Sequence, residues 1–198
     1  MNFKKITYLI FPKNRFNKSL RILITVNTTM VFVLGMLTPF YAVFIQKIGG
    51  DVASAGLSWA IFCVVAGILT LALGNWRLKV KEQELLLSLG YIIRGIVFLS
   101  YAFMGSMLQL ILTQIIWGIG VAFGTPAFDS VYSSHTNKKQ SVAQWGHWEG
   151  IASIATGLAA IIGGILIQKF GYLPVFLGMS ALSFYLGIYV WRLPRETL

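Results

Sequence analysis

Charged residues are scarce in this chain. They make up 11% of its 198 residues, whereas apolar residues make up 57% and the mean hydropathy is +0.75. A soluble domain carries roughly 25% charged residues, and a small one keeps much of its surface in contact with water. The composition therefore excludes a soluble globular domain and a disordered tail. It indicates a protein that is embedded in a lipid membrane.

Cysteines and enzyme motifs are also lacking. Cys63 is the single cysteine, which excludes a disulfide framework and a cysteine-based zinc site. The sequence has no His-Glu-x-x-His metal motif, no phosphate-binding Gly-rich loop and no Gly-x-Ser-x-Gly nucleophile elbow. We therefore expect no catalytic residues, no metal site and no cofactor, and a protein that is not an enzyme.

Long uncharged stretches, by contrast, are plentiful. A transmembrane helix needs about 20 apolar residues to cross roughly 30 Å of hydrocarbon. Charges are absent from 22–46, 52–76, 150–168 and 170–191, and 85–128 contains only Arg94 and breaks at Gly105-Ser106. Continuous apolarity favours helices over a β-barrel. The sequence predicts an all-α membrane protein with six spans, at approximately 22–46, 53–75, 85–104, 107–127, 148–168 and 172–191.

The cations are distributed unevenly between the two sides of these spans. Thirteen lie in the N-terminal arm, the 2–3 loop, the 4–5 loop and the tail, whereas Lys47 and Lys169 lie on the opposite side. By the positive-inside rule, both termini face the cytoplasm. This predicts a basic cytoplasmic arm at 1–21, a six-helix bundle at 22–192 and a cytoplasmic tail at 193–198. A bacterial cytoplasmic membrane explains the net charge of +10 without nucleic acid as a partner.

A few polar and aromatic residues interrupt the apolar spans. Arg94 lies near the middle of span 3, where an arginine is costly and should face protein or a water-filled cavity. The sequence predicts a substrate-cavity lining made of Asn27, Thr38, Tyr41, Tyr91, Arg94, Tyr101 and Gln114. An internal anchor bonded to carbonyls is the alternative for Arg94. For Asn27 and Gln114, the alternative is hydrogen bonding between helices.

Small residues follow one face of span 5 at intervals of three and four. Such residues let helix backbones approach closely in lipid. The predicted helix-packing strip consists of Gly150, Ser153, Gly157, Ala160 and Gly164. A weaker strip on span 2 consists of Gly56, Ala60, Cys63 and Gly67. Either strip can serve static packing or form a surface on which helices slide.

The six carboxylates avoid the middle of every span. Asp129 and Glu149 lie at the cytoplasmic ends of spans 4 and 5. The sequence predicts a cytoplasmic gate, in which these carboxylates pair with cations of the 2–3 loop and hold one conformation. The cations are Arg77, Lys79 and Lys81. The alternative is that a partly desolvated carboxylate takes up a proton.

Three segments resemble motifs of the major facilitator superfamily of transporters. Residues 114–122, continuing to Pro126, are similar to the family's span-4 motif Arg-x-x-x-Gly-x-Gly-x-Ala with a later Pro, and Gln114 stands at the arginine position. Residues 74–81 fall where the family carries Gly-x-x-x-Asp-Arg-x-Gly-Arg, with Leu78 at the Asp position. Gly163-Gly164 in span 5 resembles the antiporter form, in which Gly-Pro stands at the position of Ala159-Ala160.

The resemblance covers roughly residues 20–192 and implies one six-helix half of a transporter that usually has about twelve spans. It implies two inverted three-span repeats within the chain, and a second copy that completes a C2 homodimer. The implied function is secondary transport of a small molecule by alternating access, with drug or metabolite efflux as one form and a proton or ion as coupling partner. Two alternatives stay open: a non-transporting membrane subunit or regulator that pairs with another membrane protein, and a truncated product without activity.

Overall fold

Helices account for nearly all of the computed structural model, which describes residues 16–198 and has no β-strand within them. Span 1 consists of two helices, Lys18–Gly35 and Tyr41–Lys47, joined by a 3-10 turn at Thr38–Phe40. The other spans are Val52–Ala72 (span 2), Gln83–Ala102 (span 3), Met107–His135 (span 4), Ser141–Phe170 (span 5) and Tyr172–Arg192 (span 6). Short helical turns at Gly74–Arg77 and Arg195–Thr197 follow spans 2 and 6. All six spans are long and apolar enough to cross a membrane, so the predicted all-α fold is confirmed.

Local chemistry fixes several helix ends. The side chains of Asn17, Asp51 and Ser106 each accept a hydrogen bond from the backbone N–H three residues on, and they cap spans 1, 2 and 4. Gly171 has a φ of 79°, a left-handed conformation that favours glycine, and it separates span 5 from span 6. Within span 1, Pro39 supplies no N–H, so the regular helix is interrupted by the 3-10 turn.

Spans 4 and 5 are longer than the apolar stretches that predict them. The predicted span 107–127 continues to His135, and the predicted span 148–168 begins at Ser141. At about 1.5 Å per residue, each helix extends over roughly 45 Å, well beyond the roughly 30 Å of hydrocarbon. The charges that end the apolar stretches therefore do not end the helices. Similarly, residues 18–21 of the predicted arm begin the first helix, while residues 1–15 lie outside the described part of the chain.

The packing of the six spans repeats itself. Span 3 packs closely against spans 4 and 6, span 2 packs against span 4, and span 5 packs against span 1. Span 6 touches spans 1 and 5 more loosely. When spans 1, 2 and 3 are exchanged with spans 4, 5 and 6 in that order, the contact between spans 2 and 4 corresponds to the contact between spans 5 and 1. The contact between spans 3 and 4 corresponds to that between spans 6 and 1, and the contact between spans 3 and 6 corresponds to itself. Two three-span repeats account for which spans meet, although the 6–1 contact is much looser than the equivalent 3–4 contact. Spans 2 and 5 are the least buried.

Hydroxyl groups and small residues join span 3 to span 6. The Ser88 hydroxyl donates to the Gly187 carbonyl oxygen at 2.7 Å, and the Ser180 hydroxyl donates to the Gly95 carbonyl oxygen at 2.8 Å. Close approach and interhelical hydrogen bonds replace the hydrophobic drive that lipid does not supply. This contact holds span 3, which carries three of the predicted lining residues.

Candidate functional site

Glycines on span 4 bring its backbone against spans 2 and 3. A Cβ added at Gly118 would lie 2.8 Å from a side chain of span 2, and one added at Gly120 would lie 2.7 Å from a side chain of span 3. Gly124 lies directly against Gly90 of span 3, with no side chain between the two backbones. Two of these glycines, Gly118 and Gly120, belong to the motif-like segment of span 4, so that segment serves close packing. It holds the polar residues of span 4 next to those of span 3.

Four polar side chains from four spans form a buried network, the glutamine cluster: Tyr41, Ser58, Tyr101 and Gln114. The Gln114 side-chain amide donates to the Tyr41 hydroxyl and, at 2.8 Å, to the Tyr101 hydroxyl. The hydroxyls of Tyr41 and Ser58 share a hydrogen bond of 2.7 Å. Among the described residues, Gln114 Oε1 has no hydrogen-bond partner. A buried acceptor without a partner costs about 1–3 kcal/mol, so a donor on a bound molecule would gain by reaching this atom.

Aromatic rings surround the glutamine cluster. Tyr101 packs against Trp117 and Phe176, with ring centroids 6.0 Å and 5.5 Å apart. The Tyr41 ring meets the edge of Trp59 at 5.7 Å. Because Trp59 is 40% exposed, the aromatic group extends to the surface of the bundle. Rings next to a few oriented polar groups are typical of small-molecule sites, and they suit a flat apolar ligand.

Arg94 belongs to a second polar group, the arginine cluster, together with Asn27, Tyr91 and Thr125. Its Nη2 lies 3.4 Å from Thr125 Oγ1, and its guanidinium carbon lies 5.7 Å from the Tyr91 ring centroid. The Tyr91 hydroxyl donates to Asn27 Oδ1 at 2.8 Å and so joins span 3 to span 1. Arg94 is only 6% exposed, and no described carboxylate pairs with it. A buried guanidinium group with one long hydrogen bond is a candidate for binding an anionic group.

Six of the seven predicted lining residues lie in these two clusters. Arg94 and Tyr101 are seven residues apart in span 3, which places the clusters roughly 10 Å apart along the helix axis. Thr38 lies apart from both: its side chain is exposed, and its hydroxyl donates to a carbonyl oxygen of its own span at 2.9 Å. Ser58 and Thr125 complete the clusters but are not part of the predicted lining. Each of them is a single hydroxyl-bearing residue among apolar neighbours. The sequence could have pointed to them only because hydroxyl groups are scarce in the apolar spans.

The predicted gate residues do not pair with one another in this conformation. Asp129 and Glu149 are exposed, and neither forms an ion pair with a described cation. Arg77 is buried and turns back towards span 2, where its Nη2 donates to a carbonyl oxygen at 2.5 Å. Lys79 and Lys81 are exposed. The gate therefore stays a prediction for another conformation.

The ion pairs that the described residues do form lie at the tail. Arg195 lies 3.5 Å from a carboxylate oxygen of Glu82 and 3.7 Å from one of Glu84. They join the end of span 6 to the start of span 3, in keeping with the close contact between these spans. The pair with Glu82 is exposed at both ends and contributes only about 0–1 kcal/mol. Glu84 is buried, so its pair with Arg195 is shielded from water on one side.

The predicted packing strip on span 5 divides into an exposed part and a packed part. The exposed part consists of Gly150, Ser153 and Gly157. A Cβ added at either glycine would meet no atom within 4 Å. In the packed part, Ala160 is half-buried, and a Cβ added at Gly164 would lie 2.8 Å from the Phe40 ring of span 1. The exposed part is therefore not used for packing within the described residues.

Six apolar helices that enclose polar clusters, with small residues exposed on two of them, define an integral membrane protein of the polytopic helical class. A comparison with known protein families matches residues 23–198 to the Major Facilitator Superfamily. The chain belongs to this superfamily of membrane transporters, which confirms the resemblance found in the sequence.

Two curated relatives are similar to the chain. The uncharacterized MFS-type transporter MJ1560 of Methanocaldococcus jannaschii is 27% identical over 163 residues, which cover 80% of this chain and 42% of the relative. The uncharacterized MFS-type transporter YitZ of Bacillus subtilis is 21% identical over 163 residues, which cover 82% of this chain and 99% of the relative. The chain thus spans less than half the length of the first relative and nearly the whole length of the second.

Proposed function

We propose that this chain is a half-size secondary transporter, which moves a small molecule across the membrane by alternating access as a homodimer. Its family consists of transporters, and its described helices form one six-span unit. The observation that carries the proposal is the pair of small-residue strips exposed on spans 2 and 5. These strips are the surface that a second six-span unit needs for close contact.

The strip on span 2 has the same character as the exposed part of the span 5 strip. Its members Gly56, Ala60, Cys63 and Gly67 are all exposed. A Cβ added at Gly56 or Gly67 would meet no atom within 4 Å. Small residues gain little against lipid, whereas against another helix they permit close backbone contact. Because the strips lie on the two least buried spans, they favour an interface with another six-span unit.

A second copy of the same chain is the simplest partner. Closed twofold symmetry is the commonest form of oligomer. A twofold axis along the membrane normal would place span 2 of one copy against span 5 of the other, with the substrate site between the copies. The Bacillus subtilis relative supports such a unit as a separate chain, because the match covers 99% of its length.

The two polar clusters are the substrate-facing groups in this proposal. Thr125 is exposed on span 4 and lies next to Arg94, so a ligand between the copies can reach the guanidinium group. Arg94 suits an anionic or polar group, and the tyrosines suit a flat apolar one. The glutamine cluster ties spans 1 to 4 together in this conformation. We expect part of this network to break when one side of the cavity opens.

In this proposal, the predicted gate forms in a conformation other than the described one, when the cytoplasmic side of the cavity is closed. Rocking of the two copies would bring Asp129 or Glu149 against the cations of the 2–3 loop and close the cytoplasmic side. We propose efflux as the direction of transport, with a proton or another ion as coupling partner. The proposed location is the bacterial cytoplasmic membrane, with both termini in the cytoplasm, because thirteen cations lie on one side of the spans and two on the other.

A non-transporting membrane subunit or regulator is the second candidate. It is favoured by the match to the Methanocaldococcus jannaschii relative, which covers only 42% of that protein. A different chain would then supply the second six-span unit and cover the exposed strips. Purification of the tagged protein from its host membranes separates the candidates. A homodimer yields one polypeptide, whereas a subunit yields a second membrane protein in a fixed ratio.

Thiol crosslinking in membranes tests the homodimer, because Cys63 is the only cysteine of the chain and is exposed on span 2. Gly157→Cys adds a thiol to the exposed strip of span 5 at a similar depth. We expect this variant to form a covalent dimer with a short bifunctional reagent. The control is Ala181→Cys on span 6, which is exposed but outside both strips. Equal dimer formation in both variants, or none in either, contradicts the proposed interface.

Flux into liposomes tests transport itself. The purified chain, without any other protein, should move at least one compound from a panel of aromatic carboxylates and neutral aromatic compounds, with or without an imposed proton gradient. Arg94→Gln should lower carboxylate flux by more than about tenfold, because a buried charged contact is lost. Arg195→Gln, the same chemical change in the tail, should leave it unchanged. A dimer that moves no member of the panel argues against a transporter.

A further inference from the structure

A groove opens between spans 1 and 6, near the ends of these spans that lead to the termini. Its volume is about 410 Å³. Its lining includes Arg21, Thr25 and Thr29 of span 1 and Leu182, Tyr185 and Tyr189 of span 6. The residues of the two polar clusters do not line it. The groove is therefore separate from the candidate transport site.

The equivalent contact between the two repeats is closed. Exchange of the repeats maps spans 1 and 6 onto spans 4 and 3, where Gly124 and Gly90 bring the backbones together. Spans 1 and 6 present hydroxyl-bearing and aromatic side chains and touch only loosely. Packing of a three-span repeat against its counterpart does not require such an opening, so the groove is not a consequence of the repeat.

The mouth of the groove is cationic. Arg21 lines it, Lys18 precedes Arg21 by three residues, and Arg192 follows Tyr189 by three. Residues three apart in a helix are neighbours, so all three cations lie within one helical turn of the mouth. None of the described residues that line the groove carries a carboxylate. A cluster of cations at the membrane surface attracts anionic headgroups.

The groove becomes apolar away from its mouth. The hydroxyls of Thr25 and Thr29 donate to carbonyl oxygens one turn back in span 1, each at 2.8 Å, so they are satisfied within the helix. Leu182 also lines a second pocket of about 180 Å³, whose lining residues are all apolar. From Tyr189 to Pro174 the two pockets follow span 6 for about 22 Å, at roughly 1.5 Å per residue. The hydrocarbon of one leaflet is roughly 15 Å thick, so this track is long enough for an acyl chain.

We propose that this groove binds one anionic phospholipid, whose phosphate group lies at Arg21 and whose acyl chain passes Leu182 into the apolar pocket. The rings of Tyr185 and Tyr189, which stack with centroids 6.3 Å apart, lie where aromatic residues meet the headgroup region. The site depends only on spans 1, 5 and 6. Its occupancy is therefore measured by lipid binding, whether or not the chain transports a substrate.

Titration of the purified protein with defined lipids, followed by native mass spectrometry, tests the site. The probes are phosphatidylglycerol and phosphatidylcholine with identical acyl chains. The wild-type chain should bind one phosphatidylglycerol more tightly than any phosphatidylcholine. Arg21→Gln should weaken phosphatidylglycerol binding about fivefold, the contribution of roughly one cation near a membrane surface. It should weaken phosphatidylcholine binding less, because the choline cation already offsets the charge of that phosphate. The matched control is Lys139→Gln in the 4–5 loop, which should bind both lipids as the wild type does.

A second pair of variants tests the acyl-chain track without changing any charge. Leu182→Trp fills the junction of the two pockets and should weaken the binding of both lipids. Ala181→Trp adds the same ring at the next position, which is exposed and lines neither pocket, and should have no effect. Equal affinity of the wild type for the two lipids, equal losses in Arg21→Gln and Lys139→Gln, or unchanged binding in Leu182→Trp would each overturn the proposal.

Discussion

The contact between spans 3 and 4 leaves no room for a methyl group at Gly90. A Cβ added there would lie 2.5 Å from Gly124 Cα, 2.9 Å from Gly124 N and 3.0 Å from the Gly120 carbonyl oxygen. These are backbone atoms of span 4, which cannot rotate away as a side chain can. Carbon atoms in ordinary contact are about 3.5–4.0 Å apart. Gly90→Ala therefore forces the two helices apart by roughly 1 Å or more at this point.

The expected loss of stability combines two opposing contributions. Overpacking of a close-packed interior costs about 1–3 kcal/mol, and the upper part of this range applies because the clash involves backbone atoms. Alanine is a better helix former than glycine by about 1 kcal/mol, which offsets part of the loss. The matched control is Gly178→Ala on span 6, where the added methyl group would meet no atom within 4 Å. Since both variants gain the same helix propensity, their difference measures the contact between spans 3 and 4.

Thermal unfolding of the two purified variants in detergent, followed by the loss of monodisperse elution, measures this difference. We expect Gly90→Ala to be less stable than Gly178→Ala by about 2–3 kcal/mol. At about 2–4 °C per kcal/mol for a chain of this size, its unfolding midpoint should be roughly 4–12 °C lower. Equal midpoints would refute the close contact of the two backbones. They would also refute the position of Arg94 beside Thr125, because that position depends on the same contact.

Two further predictions concern one buried and one exposed polar group. Gln114→Leu removes the donor that joins Tyr41 to Tyr101. It should therefore lower the free energy of unfolding by about 1–3 kcal/mol in the same thermal unfolding assay. An unchanged midpoint would mean that the network is not formed. At Asp51, hydrogen bonds from the hydroxyl and then from the backbone amide of Ser54 hold the carboxyl pKa below its ordinary value. The contribution of this carboxylate to stability is therefore complete above the ordinary pKa and is lost as the pH falls through the lowered one. Asp51→Asn should remove that part of the acid-induced fall in the unfolding midpoint below about pH 4, and an unaltered pH profile would contradict the capping role.

The six spans could be predicted from the sequence because charged residues are costly in hydrocarbon. A stretch of about 20 residues without a charge is therefore a strong sign of a membrane crossing. The helix ends could not be predicted from the same signal. Span 4 continues past Asp129 and even past Pro126, which has no N–H to donate, and it ends only at His135. A charge ends the apolar stretch, but it does not end the helix.

The candidate site could be predicted only in part, because helical spacing shows which residues share a face but not which helix lies opposite. Tyr91 and Arg94 are close because they are three residues apart in one helix. The contact of Gln114 with Tyr41 depends on the arrangement of spans 1 to 4. The pairing of Arg195 with the start of span 3 likewise depends on the contact between spans 3 and 6. No pattern within a single span carries that information.

Arg94 is the residue that packing alone explains least. An arginine that serves as an internal anchor should donate to backbone carbonyls, because unsatisfied N–H groups are costly in a membrane interior. Among the described residues, Arg94 has one hydrogen-bond partner, the Thr125 hydroxyl at 3.4 Å, and its Nε has none. The Tyr91 ring adds only a weak cation–π attraction. A guanidinium group held at this depth with so few partners gains most from an anionic group that enters from outside the chain. Carboxylate flux through the Arg94→Gln variant is therefore the measurement on which the proposed role of this site depends most directly.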